Sequence, residues 1–291
     1  MSTHPLCAST PDGTALGTLV LPEGDGPWPL VVFFPDAGGP RDTFTRMGER
    51  LAAGGYAVVL VDPFRRQRPF APFDPATVFG DPAERARLGA VVQAMEPVGV
   101  LADAVALVDA LTDARVRRDV FGTVGYCLGG SLSLLAASTL PDRVVAAAAI
   151  HGGGLVTDAP DSPHRRVGDI RASLYLGVAG QDPSCTPEHQ AALAQSLAAA
   201  GVHYQLELTP EARHGYAVPD LPTYHVAAAE THWRRLTALF DGSRLKRWSP
   251  PRIVRRASVS SPGSSTSCWR TRRRRIWSCI NRSRRPTPSA T

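Results

Sequence analysis

The sequence is short of cysteine, and the cysteines it has are unpaired. Cys7, Cys127, Cys185, Cys268 and Cys279 form no CxxC, which excludes a zinc ribbon and a thioredoxin motif. An odd, scattered set also argues against a secreted disulfide scaffold and for a reducing compartment. The first twenty residues lack a basic stretch followed by an apolar one, so no signal peptide is expected. No apolar run approaches the length of a membrane span. The expectation is a cytoplasmic protein without membrane contact. No Gly-rich phosphate loop, no HExxH and no dinucleotide fingerprint occurs, so neither a cofactor nor a metal is expected.

What is present divides unevenly. Of 32 Lys and Arg residues, 14 lie in 241–291 against the single acid Asp241. Residues 1–240 then carry 18 basic and 25 acidic residues, a net charge of −7. An acidic globular body of 1–240 followed by a basic tail of 241–291 is the expected organisation. The tail is rich in Arg, Ser, Pro and Thr without sustained period, a composition that buries too little apolar surface to offset ordering entropy. It is expected to be disordered. Arg272 to Arg275 raise the idea of nucleic-acid contact, but a charge run alone is weak evidence and a solvated tail is the favoured reading. The body is read as a monomer or homodimer.

Within 1–240, strand and helix signals alternate. Leu6–Ser9 and Ala15–Leu21 flank the Pro11-Asp12-Gly13 turn and predict a hairpin. "LVVFFP" (Leu30–Pro35) and "YAVVLVD" (Tyr56–Asp62) are continuous apolar β-runs, as in buried parallel strands. Helical spacing covers Thr43–Ala53, about 83–94 and about 98–113, with 63–82 irregular and Pro-rich. Then follow strand Asp119–Gly125, helix Leu128–Leu140, strands Arg143–His151 and Ala172–Ala179, helix Pro187–Gly201, strand Tyr204–Leu208 and helix Thr223–Phe240. Such alternation predicts an α/β fold, a mostly parallel sheet covered by helices on both faces. Ligand sites in such sheets gather beyond the carboxyl ends of the strands.

GYCLGG (125–130) stands at one of those ends, between an apolar run and a helical run. G-x-C-x-G is the nucleophile-elbow pattern of α/β-hydrolases with sulfur in place of the serine oxygen. The same residues would suit a small buried cysteine in a tight turn. Placement at a strand-to-helix junction favours the elbow, where the helix N-terminus favours thiolate over thiol. The α/β-hydrolase order is nucleophile, acid, histidine. Among eight histidines, His214 alone lies between the last strand and the last helix. His203 begins a strand, while His225 and His232 fall on the last helix. Asp182, just past Ala172–Ala179, is the candidate acid that would hold the His214 tautomer; Glu211 and Asp220 compete with it. Leu128 and Ala37 are the candidate backbone N–H donors for an oxyanion. Asp36 adds a carboxylate near the thiol. Tyr126 and His151 are candidate pocket-wall or supporting residues.

GYCLGG, "GQD", "RHGY" and "PDAGGPRDTFTRMGERLAAGGYAVVLVDPFRR" together resemble the dienelactone hydrolase family of the α/β-hydrolase fold, over roughly residues 15–240. The resemblance implies a Cys127–His214–Asp182 triad that opens lactone or activated ester bonds through an acyl-enzyme, without a cofactor. It implies a carboxylate resting against the thiol, here Asp36 in place of a glutamate. It also implies arginines on a substrate carboxylate; one matching position is Val218, and Arg85 or Arg87 would supply the other. Phe64, Phe70, Phe73, Phe79 and Met95 are expected either to line an apolar pocket under a cap in 63–97 or to pack as core. The alternative function is a non-catalytic or redox-sensing binding protein of the same fold.

Overall fold

The structure is a computed structural model in which residues 1–246 are described. The chain opens with strands β1 (Ser2–Thr10) and β2 (Gly13–Leu21), joined by the expected turn. Then come β3 (Trp28–Phe34), α1 (Asp42–Ala53), β4 (Ala57–Val61), α2 (Pro82–Gln93), α3 (Pro97–Ala110), β5 (Val116–Tyr126), α4 (Leu128–Thr139), β6 (Val144–Ile150), β7 (Ser173–Gln181), α5 (Pro187–Ala199), β8 (Tyr204–Arg213) and α6 (Val226–Gly242). All eight strands form one sheet in the order β1-β2-β4-β3-β5-β6-β7-β8. β2 pairs antiparallel with both neighbours, and every other pairing is parallel.

Period-two alternation splits the apolar strand runs between two cores. Leu30, Val32 and Phe34 of β3 and Val59 and Val61 of β4 join α3, α4 and α5 on one face. Val31, Phe33, Val58 and Leu60 join α1 and α6 on the other. The central strands are therefore apolar at consecutive positions because both faces are covered.

Several elements differ from the sequence reading: β1 begins at Ser2 and not Leu6, β5 at Val116 and not Asp119, and β8 and α6 differ as follows. β8 continues through Pro210 to Arg213, where Leu208 was expected to end it. Pro210 falls in the register shift between the Ala179–Thr209 and Gln181–Arg213 pairs, where no ladder pairing calls on its N–H. α6 begins at Val226 and not at Thr223, because Gly215 to Tyr224 form successive tight turns and His225 Nδ1 caps the helix by accepting from the Ala228 N–H. The packed body also runs past Phe240: Leu245 is buried against the α6 face. Most of the basic tail, from residue 247 on, lies outside the described residues.

His232 of α6 is buried, with Nε2 3.4 Å from the Tyr126 hydroxyl. Burial, reinforced by Arg50, lowers its pKa to about 3. The unfolded chain therefore binds a proton there below the ordinary pKa of about 6.5 while the folded chain does not. Stability should fall as pH drops from 6.5 towards 3. Between pH 7 and pH 5 the loss from this group is about 2 kcal/mol, and urea unfolding of His232→Phe should show a pH 7-to-5 loss smaller by that amount.

Candidate active site

Strand register places the candidate residues. Tyr126 of β5 pairs with Ile150 of β6, so Cys127 and His151 leave the sheet side by side. Gln181 of β7 pairs with Arg213 of β8, so Asp182 and His214 also emerge as neighbours. A register shift lies just before that last pair, where Gly180 faces Pro210. A Cβ at Gly180 would lie 2.4 Å from the Pro210 carbonyl oxygen, so glycine is what lets the strands close there.

Cys127 sits at φ 54°, ψ −118°, between β5 and α4. A non-glycine residue there stores on the order of 1–3 kcal/mol of strain. Its N–H donates to Ile150 O, and its own carbonyl accepts from the Gly130 and Gly153 N–H groups. The bend requires glycine on both sides. A Cβ at Gly125 would lie 1.7 Å from the Gly129 carbonyl oxygen, and one at Gly129 would lie 2.2 Å from Phe34 O.

His214 Nε2 is 2.9 Å from Cys127 Sγ, and His214 Nδ1 is 2.7 Å from Asp182 Oδ2. The other Asp182 oxygen accepts from the Ser184 N–H (2.9 Å) and hydroxyl (2.6 Å), and Ser184 Oγ is also 3.0 Å from His214 Nδ1. Burial disfavours charge on both His214 and Asp182, but their mutual contact outweighs it. His214, held also by Cys127, is raised to about 10, and Asp182, held also by Ser184, falls below the ordinary carboxylate range. The arrangement can store a proton on His214 beside a sulfur. Leu128 opens α4, where first-turn N–H groups have no acceptor within the helix. Ala37 follows β3 in a turn closed by the Gly38 N–H on Asp36 Oδ1 and the Gly39 N–H on Asp36 O, neither of which uses the Ala37 N–H.

The remaining candidates fall elsewhere. Asp36 gives both carboxylate oxygens to Arg41, at 2.7 and 2.9 Å. Asp220 also goes to Arg41, at 2.7 and 2.9 Å, and so is not a partner of His214. Tyr126 is fully buried, stacked on Phe33 5.2 Å away, and faces the α1–α6 core. His151 is buried edge-on to His214, with ring centroids 5.2 Å apart. Val218 is buried, Arg85 is exposed on α2, and Arg87 bonds Glu84 and lies over the Phe73 ring. Phe64 is buried against Phe70. Phe73, with Val78, Leu88 and Ala37, forms a small cluster, and with Phe79 it lines a narrow crevice closed by Asp36, Gly38, Arg41 and Leu221. Met95 packs instead against the α3–α5 core. Sequence reasoning missed Arg41 and Ser184. Ser184 had a local signal, an Asp-Pro-Ser turn; Arg41 had none, since its second partner is 179 residues away.

Among the described residues no group of three or more His, Cys, Asp or Glu could hold a metal ion, and no single helix is long and apolar enough to cross a membrane.

The sequence model of the dienelactone hydrolase family matches residues 16–243. The chain belongs to the dienelactone hydrolase family. As a member it is a hydrolase of lactone or ester bonds, and the binding-protein alternative gives way. The carboxymethylenebutenolidase of Pseudomonas putida is 27% identical over 241 residues, covering 82% of this chain and 97% of that one. Among solved structures, a dienelactone hydrolase-like promiscuous phosphotriesterase, P91, from metagenomic libraries superposes with a TM-score of 0.66 at 22% identity, covering 83% and 98%. Dienelactone hydrolase from Anabaena variabilis gives 0.59 at 20% identity, again covering 83% and 98%. These likenesses show the α/β-hydrolase fold in this chain.

The glycine constraint gives a direct test. Gly125→Ala should cost more than about 3 kcal/mol, since backbone and not a flexible side chain blocks the new methyl. The thermal midpoint of the purified variant, or its failure to accumulate as folded protein, reads this out.

Proposed function

We propose that this protein hydrolyses a lactone or activated carboxylic ester with Cys127 as nucleophile, His214 as general base and acid, and Asp182 as the group that orients His214. The observation that carries the reading is the continuous line Asp182 Oδ2, His214 Nδ1, His214 Nε2, Cys127 Sγ, with steps of 2.7 and 2.9 Å across the imidazole. Three residues from three separate strand ends meet there, each in the order an α/β-hydrolase needs.

The steps follow from those contacts. His214 Nε2 takes the Cys127 proton, and its Nδ1–H donates to Asp182, which stabilises the imidazolium without itself being protonated. The sulfur attacks the carbonyl carbon, and the carbonyl oxygen becomes an oxyanion for which the Leu128 and Ala37 N–H groups are the proposed donors, each such donor contributing about 10²–10³-fold in rate. The tetrahedral intermediate collapses, its C–O bond breaks, and His214 Nε2–H protonates the departing alkoxide or enolate oxygen. A thioester to Cys127 remains. Water then gives a proton to Nε2 and attacks the thioester, releasing the carboxylic acid and restoring the sulfur. A thiolate is itself a good leaving group, so substrates with poor alkoxide leaving groups return to starting ester. Enol esters, ring-strained lactones, aryl esters and thioesters are therefore the expected class. Residues 1–240 are read as one hydrolase domain, with the catalytic groups inside it.

Cys127→Ala should abolish turnover of p-nitrophenyl acetate, and Asp182→Asn should lower kcat by up to about 10⁴-fold by favouring the wrong imidazole tautomer. Quenching the wild type during turnover should leave an acetyl group on the peptide containing Cys127, read by mass spectrometry. Undiminished turnover by the Cys127→Ala variant would exclude the mechanism.

A further inference from the structure

The turn that follows β7 brings a hydroxyl between the Asp182 and His214 side chains. Asp182, Pro183, Ser184 and Cys185 form a tight turn, closed by the Cys185 N–H on Asp182 O at 3.2 Å. Proline in second place fixes φ and needs no acceptor, and an aspartate in first place accepts from the backbone two residues on. The Ser184 N–H accordingly donates to Asp182 Oδ1 at 2.9 Å. The Ser184 hydroxyl reaches the same oxygen at 2.6 Å, and its Oγ lies 3.0 Å from His214 Nδ1. The Asp182 side chain is 0% exposed, so its oxygens depend on these neighbours and not on solvent.

Proton counting gives each contact a direction. A serine hydroxyl has one proton, and an ionised carboxylate only accepts. Burial opposes charge on Asp182, but His214 and Ser184 together hold its carboxyl below the ordinary range, so it is ionised. The 2.6 Å contact is therefore Oγ–H donating to Oδ1. With that proton committed, the 3.0 Å contact runs from Nδ1–H to a lone pair on Oγ. His214 Nδ1–H thus faces two acceptors, Asp182 Oδ2 at 2.7 Å and Ser184 Oγ. An unprotonated Nδ1 would meet the Asp182 lone pairs, and could gain a bond from Ser184 only by taking the hydroxyl away from Oδ1. Nε2 is left toward Cys127 Sγ, 2.9 Å away.

We propose that Ser184 is a positioning residue: it fixes the Asp182 carboxylate by one oxygen, and it supplies the second acceptor that keeps the His214 Nδ1–H in place and away from water. Its side-chain contacts are with Asp182 and His214, so it acts through them. Its effect on turnover rests on the Cys127–His214–Asp182 reading above; its effect on the Nδ1 proton does not.

The test uses two variants of the full chain. Ser184→Ala removes the hydroxyl and keeps the N–H that closes the turn. Ser184→Thr returns a hydroxyl at an exposed residue. With p-nitrophenyl acetate, Ser184→Ala should lower kcat by about 10-fold while KM changes by less than about 2-fold, as expected for a lost hydrogen bond to a charged group that matters most when His214 is charged. Ser184→Thr should recover kcat to within about 3-fold of wild type. The second readout needs no substrate. In proton NMR at pH 7, the His214 Nδ1–H resonance should exchange with water about 10-fold faster in Ser184→Ala than in wild type, and Ser184→Thr should restore the slow exchange. An undiminished kcat, an exchange rate unmoved by Ser184→Ala, or a Ser184→Thr variant no better than Ser184→Ala would overturn the proposal. Cys127→Ala run alongside separates the two ideas. Persisting turnover in that variant removes the mechanism and leaves the exchange rates to decide the role of Ser184.

Discussion

The left-handed backbone at Cys127 is the constraint on which the rest depends. A strand that entered α4 through ordinary φ and ψ would bury the cysteine in the sheet–helix interface. At φ 54° the chain turns so sharply that the side chain is pushed out at the helix N-terminus. The conformation persists because surrounding groups over-determine it. The Cys127 N–H and carbonyl are both hydrogen-bonded, and β3, α4 and the segment after β6 press in at distances only glycine tolerates. Substituting the glycines would therefore act on the position of the candidate nucleophile as much as on stability.

The sheet then brings the other groups to the sulfur. Because β7 and β8 are in parallel register at Gln181 and Arg213, the residues that follow them lie together without any long-range search by flexible loops. Local partners finish the alignment: Ser184 fixes one oxygen of Asp182 and leaves the other for His214. Arg41 ties the loop after β3, which carries Ala37, to Asp220 in the segment after His214. One guanidinium thus holds the candidate oxyanion loop and the histidine segment at a fixed separation. Few single residues could do this, since the job needs two bidentate faces.

Much of this was legible in the sequence, and the reason is that local rules govern it. Doubly covered strands must be apolar at consecutive positions, so Leu30–Pro35 and Tyr56–Asp62 announced themselves. An elbow needs small residues on both sides, so GYCLGG did too. What escaped depends on tertiary placement. Tyr126 precedes Cys127, yet strand alternation turns its ring into the α1–α6 core, away from the thiol. Pro210 reads as a strand terminator, but it sits in the register shift of β8 against β7, where no ladder pair needs its N–H. Met95 sits in the expected cap segment but packs under the sheet. Arg41 reads as a surface charge until Asp220 arrives from far along the chain.

The strain at Cys127 has a companion. Among the described residues only Cys127 and His151 combine a side chain with positive φ, and they end adjacent strands. His151 is fully buried, its ring packed edge-on to those of His214 and Tyr216. Burial, then the nearby His214 and His232, hold it well below the ordinary histidine range, so it is neutral. A neutral aromatic ring edge-on to His214 fills the space behind the imidazole without adding a positive charge to compete with it. In the proposed mechanism, a protonated neighbour would oppose the charge that His214 carries while Cys127 is deprotonated. Two positive-φ side-chain residues at the ends of adjacent strands mark where this fold gives up stability around the candidate catalytic groups.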